Sequence, residues 1–442
     1  MIAERILGNL FGSKIGSELD ALAQAYTAHG KFAGAALVAR KGEILLKKGY
    51  GLANREHNVP NTPQTVFRIG SMSKPFTAIA IMQLVEAGQL SLDDTVSKFL
   101  PDFPNGERIT VHHLLSNRSG IRDYILMPEY QTIKKQRVTT EQVIALFRNE
   151  PLLFEPGTQF SYSNGNWVLL GYILEKLTSK SYEAAIRERI FDPVGMRNSG
   201  AEWEKPLIQH RANGYDDTGA GYANAELHDD TTMHGAGALY STVEDLYKWD
   251  RALYGETLLK QATLQQMFAP ISESYGYGWE LHTLHGRRAI GHSGGMPGYA
   301  SNIARFIDDD VTVIVASNVG GSAVLQLTEG LSAVVFGAPY ETPSARPFVS
   351  VDPAILADYV GNYSVTFYGR TSIMEFTLEN DHLVLAIRGL PTSIVSAYSD
   401  TTFYARPKGD VEMTFVRDAS GQVNTIEMDW SGHKLTATRV NA

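Results

Sequence analysis

The chain has 442 residues, of which 43% are hydrophobic and 20% charged, with a formal net charge of -9 and no cysteine. That length exceeds what one hydrophobic core usually covers, so a soluble globular protein of at least two domains is expected. The lack of cysteine excludes disulfides, thiolate metal sites and cysteine nucleophiles, and the acidic balance without a Lys/Arg stripe argues against nucleic acid and, more weakly, anionic membrane surfaces.

In chain order, MIAERILGNLFGSKIG sets Ile2, Ile6, Leu7, Leu10 and Phe11 at the spacing of one helix face. A packed or dangling helix is expected, with an assembly or membrane-surface element as the alternative. The stretch lacks the parts of a secretory leader, and no apolar run approaches the ~20 residues of a membrane span. A cytoplasmic location is therefore expected, a leader removed in processing being the other possibility. SELDALAQAY (17–26) predicts a helix capped by Ser17, and GAALVARKGEILLKKGYG (34–51) a hairpin turning at Lys41-Gly42. TVFRIG (65–70) is a short β-rich run. From Ser71 the pattern turns helical, apolar on most faces, and stops at Gly88, so this helix is expected to be buried.

Residues 89–200 predict short helices and polar loops, with helices at TTEQVIALFRNE, NWVLLGYILEKLTSK and SYEAAIRERIF, the last ended by DPVGM. Residues 201–234 are loop-rich, and STVEDLYKWDRALYG is the next helix. Strands are expected at YGYGWEL, RRAIGH, YASNIARFI and VTVIVASN, with a turn at Asp308-Asp309-Asp310, and then a helix near AVLQLTEGLSAVVFG. APYETPSARPFVSVDP, rich in Pro and Ser, reads as a boundary. It divides 1–338 from a 339–352 linker and a 353–442 domain of short alternating runs, an antiparallel barrel or sandwich. The whole is a sheet of sequence-distant strands covered by helices, with an all-α insertion and a β appendage.

Three stretches could carry chemistry. In RIGSMSKPFTA, Ser71 stands at a strand-to-helix junction, where free backbone N–H groups and the helix dipole stabilise an oxyanion. Lys74, one turn on, returns to the same face, and burial would favour its neutral form and a role as base, or as a cation acting on a neighbour. The ordinary alternative is an N-cap and an exposed lysine. Ser431-Gly-His-Lys434 has the same spacing but sits between strand-like runs, where the lysine has no one-turn return. In FSYSNGN, Tyr162 beside an ammonium could act as general base, and Asn164 could point its amide the same way if the segment is extended. A packed tyrosine beside a capping asparagine is the bland reading, and Tyr222-Ala-Asn224 is the same spacing in a loop. In GHSGGMPGYAS, His292-Ser293-Gly294 ends a strand-like run and enters a glycine-rich loop. Such an edge lets a substrate carbonyl approach backbone N–H groups, and His292 could bond the substrate or the Ser71–Tyr162 network.

Ser-x-x-Lys, Tyr-x-Asn and His-x-Gly in that order resemble the layout of the penicillin-recognising serine hydrolases. The branch resembled is that of class C β-lactamases, family VIII esterases and D-stereospecific aminopeptidases. FRIGSMSKPFTA, LSLDDTVSKFLP, VHHLLSNRSGI, FEPGTQFSYSNGNWVLLGYILE, IFDPVGMRNS, GAGALYSTVEDLYKW and GHSGGMPGY support the resemblance over roughly residues 17–335. LADYVGNYS and the strands after it resemble the lipocalin-like C-terminal domain of some members. The resemblance implies an α/β (α+β) fold, an antiparallel sheet flanked by helices with an all-α insertion, plus a C-terminal antiparallel β-barrel. It implies that Ser71 is acylated and that Lys74 and Tyr162 share the base work, Tyr162 returning the proton to the leaving group. Asn164 would orient the substrate and Lys74. His292 would stand where lactam-processing relatives carry the lysine of Lys-Thr-Gly, with Gly294 and Gly295 beside it. The backbone N–H groups of Ser71 and Gly295 would form the oxyanion hole.

A histidine is mostly neutral at pH 7, so the cation that holds a β-lactam carboxylate is weakened. Poor β-lactamase activity is expected, with neutral esters or D-amino-acid amides and peptides as substrates. No cofactor and no metal is expected: His112 and His113 are adjacent on different helix faces, and His228-Asp229-Asp230 reads as solvated loop. A small-molecule substrate and a homo-oligomer are the expected partners. Two rival readings are a ligand sensor that acylates without turnover and an assembling structural protein on the same fold. The C-terminal domain either stabilises the fold or oligomer, or roofs the site, with Tyr359, Tyr363, Phe367 and Tyr368 as core and rim.

Overall fold

The structure is a computed structural model that describes residues 2–201, 207–217, 221–272, 274–321, 323–343, 348–367, 369–388, 390, 392–405, 411–430 and 433–440, with the side chains of 2–13 and 370 outside that description. A six-stranded antiparallel sheet organises the larger part. Its strands are β1 (Gly34–Arg40), β2 (Glu43–Tyr50), β3 (Glu280–Leu284), β4 (Arg287–Met296), β5 (Tyr299–Phe306) and β6 (Val311–Ser317). They lie in the order β3-β4-β5-β6-β1-β2, so the first strand of the chain pairs with the last of the sheet. The β1–β2 turn falls at Lys41-Gly42, both with positive φ (51° and 78°), as a tight hairpin requires.

Both faces of the sheet are covered, and the two-residue period shows it. Leu37 and Ile314 join the large core on the side of the helical insertion. Val38, Val313 and Val315 pack on the other side against α1 (Ile2–Ala28) and α4 (Val324–Phe336). α1 corrects the expected start: the helix predicted for 17–26 is continuous from Ile2, and Ser17 is inside it rather than at its cap. Burial of Leu19, Leu22, Ala23 and Tyr26 against β1, β2 and α4 provides the tertiary reason. The Ile2, Ile6, Leu7, Leu10 and Phe11 side chains lie outside the described residues.

α2 (Ser73–Glu86) is buried on nearly every face, as its composition predicts, and ends before Gly88 at φ 66°. α3 (Asn164–Thr178) crosses it within the insertion and closes at Ser179 in the left-handed region. Residues 361–440 form a closed antiparallel barrel of eight strands, resolving the barrel-or-sandwich alternative. Tyr363, Met374, Phe376, Leu385, Met413 and Phe415 fill its interior, and Tyr359 is buried with them. Phe367 lies at the end of a barrel strand, stacked at 12° on Trp430, while Tyr368 lies outside the described residues. No helix among the described residues is long and apolar enough to cross a membrane.

Candidate active site

Ser71 sits in a 3-10 turn, Gly70–Met72, that feeds directly into α2. Gly70 has φ 52°, and a Cβ there would lie 2.8 Å from both the backbone N and O of Gly295. Only glycine lets the nucleophile's turn approach the β4 edge this closely. Lys74 is fully buried. Its Nζ donates to Ser71 Oγ at 2.9 Å, Asn164 Oδ1 at 2.9 Å and the Ala236 carbonyl at 2.7 Å. An ammonium uses all three contacts as donor. A free amine keeps two of them, to Asn164 and Ala236, and turns its lone pair to accept the Ser71 hydroxyl proton. One geometry therefore serves both protonation states.

Tyr162 and Asn164 reach the same place because Ser163 between them is extended (φ -140°, ψ 124°) and only then does α3 begin. The Lys74 ammonium lies 4.9 Å from the centre of the Tyr162 ring. The Asn164 amide is held from behind. Asp123, buried, accepts the Asn164 backbone N–H at 3.2 Å and its Nδ2 at 3.2 Å and 3.0 Å. That leaves Oδ1 of Asn164 facing Lys74. Asn117 clamps the same turn, accepting the Ser163 N–H at 3.3 Å and Asn166 Nδ2 at 2.9 Å.

The third stretch differs from its expected form. β4 runs through His292-Ser293-Gly294-Gly295 to Met296 and only then turns, so there is no loop at the glycines. Gly294 is needed because a Cβ there would stand 2.0 Å from the Ile69 carbonyl oxygen, whereas one on Gly295 meets nothing within 4 Å. His292 is buried, and both its nitrogens are used inside the protein. Nδ1 donates to the Ser293 carbonyl at 2.6 Å, and Nε2 accepts from the Tyr275 hydroxyl at 3.1 Å. The imidazole stands beside Tyr162, ring centres 6.3 Å apart, with its Nε2 bonded to Tyr275. Burial lowers its pKa, the Lys74 charge adds to this, and Glu280 acts against it.

Sequence reasoning missed Asp123, Tyr275, Glu280 and the Ala236 carbonyl, all brought in by distant segments. It misread His228 and Asp230, which are buried rather than solvated. Tyr130 meets His228 Nε2 at 2.5 Å, and Arg68, on the short strand that leads to Ser71, meets Asp230 at 3.1 Å. The two look-alike motifs do stand apart. Tyr222-Ala-Asn224 is an exposed strand, and Lys434 pairs with Asp429 at 2.8 Å, Ser431 lying outside the described residues. Among the described residues no group of three or more His, Asp or Glu could hold a metal ion. The barrel also reaches this region: a Cβ on Gly369, φ 72°, would lie 2.5 Å from the Phe160 carbonyl oxygen, two residues before Tyr162.

Residues 19–332 match the family model described as Beta-lactamase, and residues 345–439 match a domain of unknown function, DUF3471. Penicillin-binding protein 4* of Bacillus subtilis (strain 168) is 31% identical over 418 residues, covering 88% of this chain and 92% of that protein. Among solved structures, the octameric penicillin-binding protein homologue from Pyrococcus abyssi superposes with TM-score 0.67 at 27% identity, covering 95% of this chain and 99% of that one. The D-amino acid amidase from Ochrobactrum anthropi SV3, complexed with L-phenylalanine amide, has TM-score 0.67 at 25% identity, covering 74% and 99%.

Proposed function

Because the chain belongs to the Beta-lactamase family of serine hydrolases, we propose that it hydrolyses carboxylic esters or D-amino-acid amides and peptides through an acyl-enzyme on Ser71. The observation that carries this is the buried Lys74 amine, 2.9 Å from Ser71 Oγ and fixed from two other sides by Asn164 and Ala236. Ser71 Oγ attacks the substrate carbonyl carbon while its proton passes to Lys74, with Tyr162 sharing the base role. The carbonyl oxygen becomes an oxyanion held by the backbone N–H groups of Ser71 and Gly295. The intermediate collapses as Tyr162 protonates the departing alcohol or amine and is reprotonated by the Lys74 ammonium; water then gives a proton to the same Lys74–Tyr162 pair as it attacks the acyl carbonyl, and collapse of that second intermediate releases the carboxylic acid and returns the proton to Ser71 Oγ. Asn164 orients Lys74 and the substrate. His292 acts through Tyr275 and the Tyr162 wall rather than as a ligand.

A neutral, internally bonded His292 supports the preference against β-lactams, since it offers no cation to a substrate carboxylate. The D-amino acid amidase among the similar structures favours the amide branch, while esters are the easier chemistry and are expected to turn over as well. The catalytic unit proposed is 1–338, joined by 339–352 to the barrel unit 353–442, and the octameric homologue from Pyrococcus abyssi suggests a homo-oligomer. The test is hydrolysis of p-nitrophenyl butyrate, D-Ala-p-nitroanilide and nitrocefin by wild type and Ser71→Ala. Cleavage of the ester or the anilide that disappears in Ser71→Ala supports the reading. Equal behaviour of the two proteins on all three, or nitrocefin as the fastest substrate, refutes it.

A further inference from the structure

The sheet has an uneven edge beside Ser71. β3 pairs with β4 only as far as Glu280, which lies opposite Gly291, while β4 continues to Met296. A strand that outruns its neighbour leaves backbone N–H groups without a ladder partner. Here a side chain takes the place of the missing strand. Glu280 Oε2 accepts the Ser293 N–H at 3.2 Å, and Oε1 accepts the Ser293 hydroxyl at 3.1 Å. This carboxylate is only 3% exposed. His282 Nε2 lies 3.4 Å from one oxygen and His292 Nδ1 3.6 Å from the other. Burial raises its pKa, but the positive charge that His292, His282 and His433 take up at the low pH where a carboxylate titrates, together with the His282 bond, outweighs that and holds it below the usual carboxylate range. A buried carboxylate is costly unless its partners compensate it, so one placed at the end of a ladder demands a reason.

The reason lies two residues further along. Backbone N–H groups alternate between the two edges of a strand. With the Ser293 N–H directed to the β3 side, that of Gly295 faces the same edge, where β3 has already ended. The Gly295 nitrogen also abuts the Gly70–Ser71 turn, within 2.8 Å of where a Gly70 Cβ would be. We propose that Glu280 is a positioning residue for the oxyanion hole: by gripping Ser293 at both its N–H and its hydroxyl, it fixes the angle at which the Gly295 N–H is presented to the acyl carbon on Ser71. It touches no reacting atom. The inference rests on the serine-hydrolase reading above and adds to it a carboxylate absent from the three motifs.

The experiment compares Glu280→Gln with Glu280→Ala. Gln keeps an acceptor for the Ser293 N–H and a polar partner for its hydroxyl, whereas Ala removes both and leaves a partly buried donor without its partner. The readouts are single-turnover acylation by p-nitrophenyl butyrate, KM, and hydrogen exchange of a peptide spanning 290–298. Loss of an oxyanion donor falls on the chemical step, so Glu280→Ala should acylate about 30- to 300-fold more slowly, with KM within about threefold of wild type. Glu280→Gln should stay within about fivefold. Exchange across 290–298 should quicken in the alanine variant and not in the glutamine variant. Should Glu280→Ala fail to fold, Glu280→Asp, whose carboxylate stops one methylene short, carries the same expectations. Wild-type acylation in Glu280→Ala, a loss confined to KM, or unchanged exchange would overturn the proposal. If the parent has no Ser71-dependent turnover, the hydrolase reading fails, and the exchange comparison still decides whether Glu280 holds the strand.

Discussion

Two neighbouring glycines should answer very differently to the same added methyl group. A Cβ on Gly294 would stand 2.0 Å from the Ile69 carbonyl oxygen and 2.5 Å from Ser301 Oγ. Ordinary contact begins at 3.4 Å, so β4 and the Ile69–Ser71 segment must part by up to about 1.4 Å. Neither side yields easily: β4 is bonded to β5 through Gly294↔Ser301, and Ser301 Oγ donates to that same Ile69 carbonyl at 2.8 Å. Overpacking of this kind costs about 1–3 kcal/mol of stability. Its effect on turnover is larger, because misplacing the reacting groups by ~1 Å costs on the order of 100-fold, or about 2.7 kcal/mol of barrier. Gly294→Ala should therefore lower kcat for p-nitrophenyl butyrate by about 100-fold while thermal unfolding shifts only modestly. Gly295→Ala, whose Cβ meets nothing within 4 Å, should fold as wild type does. The assay is steady-state and single-turnover hydrolysis of both variants, with unfolding followed by circular dichroism. A Gly294→Ala enzyme within about threefold of wild type would refute the argument that this contact sets the distance from nucleophile to oxyanion strand.

Removing Asp123 should free the Asn164 amide to turn, and Asp123→Ala is expected to lower kcat about 10- to 100-fold, with Asp123→Asn recovering only part, measured on the same ester. Burial lowers the pKa of His112, His113, His292 and His433 below the ordinary histidine value of 6.5. Their unfolded forms take up protons more readily than the folded ones, so their contribution to stability is whole above about pH 6.5 and is lost as pH falls below it. His282 shifts the other way: burial lowers its pKa, but the Glu280 bond and charge outweigh that and raise it, so its contribution is present at lower pH and fades as pH rises past its folded value. The four should dominate, and the unfolding temperature should drop steadily between about pH 6.5 and 5; a flat profile there would contradict their burial in the neutral state.

The parts legible in the sequence are those fixed by neighbours along the chain. The all-round apolar run after Lys74 announces a buried helix, that helix does end before Gly88, and the extended Ser163 does turn Tyr162 and Asn164 to one side. The β1–β2 turn is visible in Lys41-Gly42 alone. What stays hidden depends on contacts made across the fold. His228 and Asp230 look solvated within a loop, and only Arg68 and Tyr130, from other segments, bury them. Gly294 and Gly295 suggest a loop because glycine is common in loops, whereas here Gly294 answers to a carbonyl oxygen from the Ile69 segment. Ser17 makes a good cap locally, yet packing of Leu19 and Leu22 carries the helix past it. Glu280 does leave one trace, a carboxylate next to Trp279 at the end of an otherwise aromatic run, which is an odd place for a charge unless something receives it.

The pairing of Gly34 with Ser317 has a consequence for how the molecule is made. During synthesis β1 and β2 leave the ribosome as a lone hairpin, and such a hairpin is marginal in water. Their partner β6 emerges only after the entire helical insertion, so the insertion has the chance to gain local structure while the sheet still waits for its middle strand. Non-local pairing of this kind slows folding and leaves apolar edges exposed to other chains in the interval. Nascent chains halted before Val311 should therefore be protease-sensitive across residues 34–50, and become resistant there only once Ser317 has cleared the exit tunnel.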